Sequence, residues 1–301
     1  MTHARPPDHA DRLARARVSL DGLSVGDAFG ERFFGPSEQV EGWIAAKRLP
    51  EPPWSYTDDT EMALSIVEAL QQRGAIDPDA LALAFARRYQ RDPQRGYGGT
   101  AHEILRAIGD GAPWQQAAGE AFGGQGSMGN GGAMRSGPIG GYFADDLARV
   151  VAEARASAVP THAHPDGQAG AIAVAVAAAM AWRTRARPDG AALLAAAVEH
   201  TPDGPTREGL VRAARFRREG MSLRSAARLL GSGYGVISSD TVPFALLCAS
   251  LHLGDFAAAM WATVAGLGDR DTTCAIAGGV VALSGAPIPA EWLTAREPLT
   301  F

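Results

Sequence analysis

The sequence predicts an all-α protein. Apolar residues recur every three or four positions in many stretches, and Met62, Ile66 and Leu70 form one such set. This spacing is typical of a helix with one buried face. Alternation with a period of two is nearly absent, and runs of β-branched residues are short. These observations predict a compact multi-helix domain.

Candidate helices follow one another along most of the chain. They cover 60–73, 78–90, 100–109, 145–158, 168–186, 189–200, 206–219, 222–231, 241–252, 255–266 and 272–284. The most apolar stretch, 169–182, is rich in alanine and shorter than the ~20 residues that a membrane span needs. We interpret it as a buried helix and expect no membrane association.

The chain shows no repeat of fixed period and no break in composition. We therefore expect a single all-α domain over 15–301, preceded by a flexible N-terminus over 1–14. With 301 residues, of which 46% are apolar and 20% charged, the chain is long enough for a large core and unlike a disordered protein.

Charge and cysteine content narrow the class of protein. The net charge of −5 gives no sign of the basic face that nucleic-acid binding requires, so direct nucleic-acid binding is not expected. Two cysteines offer no disulfide framework, and the N-terminus lacks the apolar core of a secretory signal. We therefore expect a cytoplasmic protein, and we expect it to be a monomer.

Three glycine-rich segments separate the candidate helices, at 95–100, 122–141 and 266–279. The middle one also carries Met, Arg and Phe, which a flexible linker would lack. Glycine allows either a sharp turn or a close approach of the backbone to a ligand.

An acidic cluster, TDDT at 57–60, stands at the start of a candidate helix. Asp58 as N-cap with Glu61 three residues later would form a capping box, and first-turn acids suit the helix dipole. The alternative is that the carboxylates hold a cation. A prenyl-diphosphate site of the DDxxD type is disfavoured, because the residue four after Asp58 is Met62.

A second helix start carries the same mixture of residues. In GDRDTT at 268–273, Asp269 and Asp271 are followed by Thr272 and then by an apolar run. If the two helix starts face each other, four carboxylates would repel unless a divalent cation lay between them. Oxygen ligands without His or Cys suit Mg²⁺ or Mn²⁺, and four carboxylates favour two ions. Capping and metal binding both remain open on these grounds.

Several motifs together resemble one known family. TDDT at 57–60, GNGGAMR at 129–135, TH at 161–162 and GDRDTT at 268–273 occur in the order seen in ADP-ribosylglycohydrolases, the family of the dinitrogenase reductase-activating glycohydrolase. GLSVGDAFG at 22–30 is similar to the opening helix of that family and its GD-x-x-G turn. The resemblance extends from about residue 15 to about residue 290.

The resemblance implies a compact all-α fold with a dinuclear metal site at helix N-termini. It implies two Mg²⁺ or Mn²⁺ ions, held by Thr57, Asp58, Asp59, Asp269, Asp271 and Thr272. The activity it implies is hydrolysis of an ADP-ribosyl bond at the anomeric carbon of the distal ribose, which releases ADP-ribose from a modified protein or a small molecule. Glu31, Asp59 and Asp271 are the candidate catalytic carboxylates.

Candidate substrate-binding residues lie mainly in the glycine-rich segments. Backbone N–H groups around Ser127, Met128, Gly129 and Asn130 suit a pyrophosphate cradle, although a plain glycine turn would have the same composition. By analogy with the family, Phe122 stacks on adenine and His162 lies near the distal ribose or the phosphates. A core aromatic and a capping or core histidine are the alternatives. Tyr97 and Gly98 are candidates for the distal-ribose pocket.

Two departures from the family pattern bear on the reaction. Relatives read GDALGxxxEF, with the glutamate on a mobile loop. Here Phe34 takes that position, and Glu31 lies three residues earlier. The RGYGGT segment lacks the aspartate of arginine-directed relatives, so the linkage is left open. The alternative function is an ADP-ribose-binding sensor or an immunity-type protein.

Overall fold

The computed structural model describes residues 6–301, which are predominantly α-helical. The helices are α1 (His9–Glu31), α2 (Ser37–Ala45), α3 (Asp58–Arg73), α4 (Pro78–Arg91), α5 (Gly99–Gly109), α6 (Trp114–Gly124), α7 (Gly131–Met134), α8 (Gly137–Tyr142), α9 (Leu147–Ala158), α10 (Pro165–Arg183), α11 (Gly190–His200), α12 (Pro205–Glu219), α13 (Leu223–Leu230), α14 (Ser238–Leu251), α15 (Phe256–Val264), α16 (Arg270–Ala282) and α17 (Ala290–Ala295). Pairing of the β type within this range is limited to two isolated bridges, one joining Trp54 to Arg296 and one joining Gly129 to Ile237. The prediction of an all-α protein is confirmed.

Every predicted helical range coincides with a helix, and several helices begin a few residues earlier than predicted. In α10 the earlier start reflects Pro165 at the first helical position, where its fixed φ suits a helix and its missing N–H costs nothing. The periodicity missed α1 and the short helices α2, α6, α7, α8 and α17. Four-residue helices such as α7 are too short to show a period.

Helix α1 differs from expectation at both ends. It begins at His9, ahead of the expected domain boundary at residue 15, while residues 1–5 of the expected flexible segment lie outside the described residues. The His9 ring hydrogen-bonds with the Tyr142 hydroxyl at 2.7 Å, and Arg15 pairs with Asp145 at 2.8 Å, so the first turns are tied to the body of the molecule. At its other end α1 is helical through 26–30, where the resemblance indicated a turn.

Helix α10 runs through the middle of the molecule. Its residues from Ala169 to Ala179 are buried on every side, and it packs against α8, α9, α11 and α14. Alanine suits this place, because its small side chain lets several helices approach one axis. The prediction of a buried helix is confirmed. Within residues 6–301, no helix is both long and apolar enough to cross a membrane.

Helices α1 and α16 pack antiparallel with their backbones in contact. A methyl group added at Gly22, Gly26 or Gly30 would lie 2.4, 2.2 or 2.2 Å from the carbonyl oxygens of residues 278, 274 and 270 respectively. Only glycine permits such an approach. This register brings the end of α1 to the start of α16, where Asp269 and Asp271 stand.

Both cysteines lie in this core as free, buried thiols. Burial raises the pKa of Cys248 to about 12 and also raises that of Cys274. Neither thiol is therefore ionised near neutral pH.

Candidate active site

Asp27, which no sequence pattern indicated as a site residue, ties the start of α3 to α1. It is fully buried and accepts hydrogen bonds from the backbone N–H groups of Thr57 and Thr60, at 3.0 and 3.1 Å. The two threonine hydroxyls also lie within 2.9 and 2.5 Å of its carboxylate. Burial raises the pKa of Asp27 to about 6, while these hydrogen bonds act in the opposite direction. The feature of the sequence that could have indicated Asp27 is a single acid within a stretch of small and apolar residues, GLSVGDAFG.

The acids at both helix starts are not used as caps. Thr57 is the N-cap residue of α3 and Asp269 that of α16, and neither side chain makes a capping hydrogen bond. The capping-box interpretation of Asp58 and Glu61 is wrong. The Asp58 backbone N–H donates to the carbonyl of Arg95 at 2.7 Å, and the Glu61 carboxylate accepts from Arg88 at 3.0 Å.

Asp59 joins the two acidic clusters. Its Oδ2 lies 3.0 Å from the Thr57 hydroxyl and 3.4 Å from the Thr272 hydroxyl, which belongs to the other helix start. Its Oδ1 is buried and has no hydrogen-bond partner within residues 6–301. The Thr57 hydroxyl is also within reach of Asp27, although it has one proton to share between two carboxylates. Acceptors therefore outnumber donors here.

The second cluster is held by one side-chain amide and one backbone N–H. The amide of Asn130 donates to Asp269 Oδ2 at 2.7 Å and to the Thr241 hydroxyl at 3.1 Å. Asp271 Oδ1 accepts the N–H of Thr272 at 2.8 Å. The backbone N–H of Asn130 was predicted to form part of a pyrophosphate cradle. In the structure its side chain instead orients Asp269, a candidate metal ligand.

Burial and mutual repulsion disfavour the charged forms of these acids. Burial, followed by the charges of Asp27 and Asp269, raises the pKa of Asp58 to about 8. The pKa values of Asp59 and Asp271 lie well above the ordinary range for the same reasons. Within residues 6–301, no group of three or more His, Cys, Asp or Glu side chains lies close enough together in this structure to coordinate a metal ion.

The donor set nevertheless fits hard divalent cations. It consists of carboxylate and hydroxyl oxygens, one of which, Asp59 Oδ1, is enclosed and unpartnered. An orphaned buried carboxylate oxygen is costly unless a donor or a cation faces it. Divalent ions between the clusters would relieve both the orphaned oxygen and the surplus of negative charge.

Glu31 lies at the end of α1 beside these clusters, and not on a mobile loop. It is half-buried, and burial together with the charges of Asp27 and Asp269 raises its pKa. Phe34, at the position of the relatives' glutamate, is 47% exposed and lies over the guanidinium of Arg270 at 5.1 Å. At the end of α1 the chain therefore carries a carboxylate at Glu31 and an aromatic ring at Phe34.

The glycine-rich segment 126–130 lies beside the second cluster. The Met128 carbonyl accepts the N–H of Ser238 at 3.0 Å, and the Asn130 N–H donates to the carbonyl of Val236 at 3.2 Å. The Gly129 N–H is bonded to the Ser127 hydroxyl at 3.1 Å. The segment is thus braced against 236–238 as an ordered turn.

The remaining predicted contacts occupy different environments. Phe122 is 60% exposed with φ of +53°, so the core-aromatic alternative is wrong and its ring is free to stack. Tyr97 is buried against Tyr89 and His102, and its enclosed hydroxyl has no hydrogen-bond partner among the residues that the structure describes. Gly98 is the N-cap residue of α5. His162 is buried beside Gly129.

A C-terminal segment secures the first cluster from outside. The Glu297 carboxylate accepts from the backbone N–H of Tyr56 at 2.9 Å and pairs with Arg95. Arg95 in turn donates to the Tyr56 carbonyl at 2.9 Å, and its own carbonyl receives the Asp58 N–H. Sequence patterns gave no indication of this contact, which joins residues more than two hundred positions apart.

The fold and the paired acidic helix starts agree with a comparison of the chain with known families. The profile of the ADP-ribosylglycohydrolase family matches residues 8–299, and the chain belongs to this family. Its curated relatives include ADP-ribosylhydrolase ARH3 of Xenopus tropicalis, which is 34% identical over 170 residues, or 53% of this chain and 48% of the relative. ARH3 of Homo sapiens is 34% identical over 178 residues, or 54% of this chain and 48% of the relative. The aligned stretch spans about half the length of these relatives.

The same family is found among solved structures. A chain described as an ADP-ribosylglycohydrolase-related protein complex superposes with a TM-score of 0.63 at 26% identity, covering 96% of this chain and 94% of that one. The structural likeness therefore extends over almost the whole molecule.

Proposed function

We propose that the protein is a metal-dependent hydrolase that cleaves an ADP-ribosyl bond at the anomeric carbon of the distal ribose. The substrate class is a modified protein or a small molecule that carries ADP-ribose. Support comes from membership of the ADP-ribosylglycohydrolase family and from relatives named as ADP-ribosylhydrolases.

The observation that carries the proposal is the meeting of the two helix starts at Asp59. One carboxylate lies within reach of hydroxyls from both α3 and α16 and keeps a buried oxygen unpartnered. A purely structural cluster would satisfy that oxygen.

Two Mg²⁺ or Mn²⁺ ions would be held by oxygens of the two clusters. The ligands we propose are Thr57, Asp58, Asp59, Asp269, Asp271 and Thr272. When bound, such ions supply positive charge that orients the ribose hydroxyls and a water molecule.

The residues of the chain have separate tasks around that centre. Asp27 and Asn130 hold the candidate ligands in place through the hydrogen bonds described above. The anomeric carbon gains positive charge as the bond breaks, and the carboxylates of Asp59 and Asp271 would stabilise it. Glu31, with its raised pKa, is the candidate that exchanges a proton with the water or the leaving group.

The test is a panel of substrates. ADP-ribosylated arginine, ADP-ribosylated serine and O-acetyl-ADP-ribose are incubated with the protein and Mg²⁺ or Mn²⁺, and released ADP-ribose is measured. We expect turnover of at least one substrate and none after chelation. Turnover should fall at least a hundredfold, on the order of one lost transition-state contact, in Asp271→Asn.

The exposed Asp110→Asn serves as the matched control and should keep full activity. Glu31→Gln separates the roles at the end of α1, because full turnover in this variant would remove Glu31 from the reaction. If none of the substrates is turned over and ADP-ribose still binds, the protein is a sensor. The replacement of the relatives' glutamate by Phe34 is the feature that favours this second function.

A further inference from the structure

Arg135 is a buried cation without a carboxylate partner among the described residues. Its side chain donates to the Ser157 carbonyl at 2.9 Å and to the Thr161 hydroxyl at 2.8 Å, and its guanidinium lies over the Phe85 ring at 4.4 Å. Burial lowers the pKa of Arg135 to about 9, so it stays charged at neutral pH. A buried charge held by neutral groups calls for an explanation.

The Thr161 hydroxyl lies between Arg135 and His162. Since a guanidinium can only donate, the hydroxyl oxygen accepts from Arg135, and one proton is left to give. The acceptors in reach are His162 Nδ1 at 2.7 Å and the Ala158 carbonyl at 3.4 Å. That carbonyl already accepts the N–H groups of Thr161 and His162 at 3.1 and 2.9 Å. The shorter bond, to Nδ1, therefore takes the hydroxyl proton.

An imidazole that accepts at Nδ1 and is neutral carries its proton on Nε2. Burial, followed by the charge of Arg135, lowers the pKa of His162 to about 3, so the ring is neutral throughout the working range of pH. Nε2 has no hydrogen-bond partner within residues 6–301. It borders Gly129 and Gly131, where an added methyl group would lie 3.3 and 3.4 Å from it.

We infer that Arg135 and Thr161 are positioning residues that fix His162 as the Nε2–H tautomer. The histidine then presents a neutral N–H donor at the glycine-rich segment 126–130, where a phosphate oxygen of the ligand would accept it. The identity of that ligand as ADP-ribose rests on the proposed function, whereas the tautomer does not.

The tautomer is measured on the ligand-free protein labelled with ¹⁵N-histidine. Long-range ¹H–¹⁵N spectra distinguish the two ring nitrogens, and the signal missing in His162→Gln assigns the residue among seven histidines. We expect a protonated Nε2 and an unprotonated Nδ1. Thr161→Val, of similar shape without the hydroxyl, should give a mixture of tautomers, and Thr161→Ser should restore the single form.

Binding of ADP-ribose is measured by calorimetry on the same variants. Thr161→Val should bind about fivefold more weakly, the equivalent of one misplaced hydrogen bond, and Thr161→Ser should bind like the wild type. A wild-type His162 that is protonated on Nδ1 or charged would overturn the inference. This measurement uses the wild-type protein, so it remains valid even if Thr161→Val does not fold. An unchanged tautomer in a folded Thr161→Val would also overturn it. If the wild type shows the expected tautomer but does not bind ADP-ribose, the proposed function fails and the positioning role remains.

Discussion

At the scale of single residues, Asp27 shows how a buried acid organises others. Its two oxygens face backbone N–H groups from Thr57 and Thr60, which cannot turn away. The carboxylate thereby sets the direction of the first turn of α3, which carries Asp58 and Asp59. Its burial is unfavourable for a charge, and the donors around it compensate only in part, since its pKa remains raised.

We expect Asp27→Asn to lower the free energy of unfolding by about 1–3 kcal/mol. An NH₂ group at the Oδ2 position would face the N–H groups of Thr57 and Thr60, and at the Oδ1 position it would face that of Thr57, so one acceptor is lost in either orientation. Urea denaturation measures the loss. Asp11→Asn, an exposed position on the same helix, is the control and should change stability by less than about 0.5 kcal/mol. Equal stability of Asp27→Asn and the wild type would contradict the organising role.

Residue types alone indicated part of this site. The aspartates and threonines of TDDT and GDRDTT stood out because two helix starts shared an unusual mixture. The contacts of Asp27 and Glu297 did not stand out, because a single acid has no pattern until folding shows what it faces. The capping interpretation of Asp58 failed for the same reason, since its backbone N–H bonds to Arg95 across space.

At the scale of elements, the contact of α1 with α16 controls the distance between the two clusters. The helices touch through glycines at four-residue spacing, so each turn of α1 lies against a turn of α16. Asp27 lies near the end of α1, and Asp271 lies at the start of α16. If the two helix axes moved apart, these two acids would move apart as well.

Gly26→Ala tests this contact. Alanine favours a helix over glycine by about 1 kcal/mol, but the added methyl group would lie 2.2 Å from the Cys274 carbonyl oxygen, which is backbone and cannot yield alone. The cost of overpacking, about 1–3 kcal/mol or more where backbone must move, should exceed the gain in helix preference. We therefore expect a net loss of stability together with weaker binding of Mg²⁺. Denaturant titration and metal titration measure the two effects.

The matched control is Gly42→Ala in α2, where an added methyl group meets nothing within 4 Å. It should be neutral or slightly stabilising, because only the helix preference changes. If Gly26→Ala behaved in the same way, the close packing of α1 on α16 would not be needed for stability.

Helices with a regular apolar period could be located from that period, whereas α1 was indicated only by the resemblance of residues 22–30 to the family's opening helix. Its second half is buried on nearly every side and interrupted by glycines, so it has no polar face to set a period. The spacing of Gly22, Gly26 and Gly30, four residues apart, is the sequence feature that corresponds to this close helix pair. The antiparallel register with α16 follows from tertiary packing, which no local pattern encodes.

At the scale of the whole molecule, the all-α fold follows from composition and period, whereas the meeting of residues 27, 57–59 and 269–272 depends on the complete chain. The protein carries a modest net charge of −5, yet it concentrates acids at this one buried junction. Such a concentration opposes folding whenever the acids are ionised and no cation is bound.

The stability of the metal-free protein should therefore fall as the pH rises. The folded-state pKa values of Asp27 and Asp58 are raised from 3.8 to about 6 and about 8, so the folded state holds more protons than the unfolded state between these limits. Stability is then greatest below the unfolded value near 3.8 and is lost progressively as the pH rises through about 6 to about 8.

Divalent cations should reverse this trend, because they bind the ionised carboxylates of the folded state only. In melting experiments with a chelator, we expect a lower melting temperature at about pH 8 than at about pH 5. We expect Mg²⁺ to raise it by several degrees at the higher pH and little at the lower one. Asp58→Asn removes one titrating acid and one candidate ligand, so both the pH dependence and the response to Mg²⁺ should shrink together. A melting temperature that rises with pH in the chelated protein, or a response to Mg²⁺ that survives Asp58→Asn unchanged, would show that this junction is not the metal-binding site.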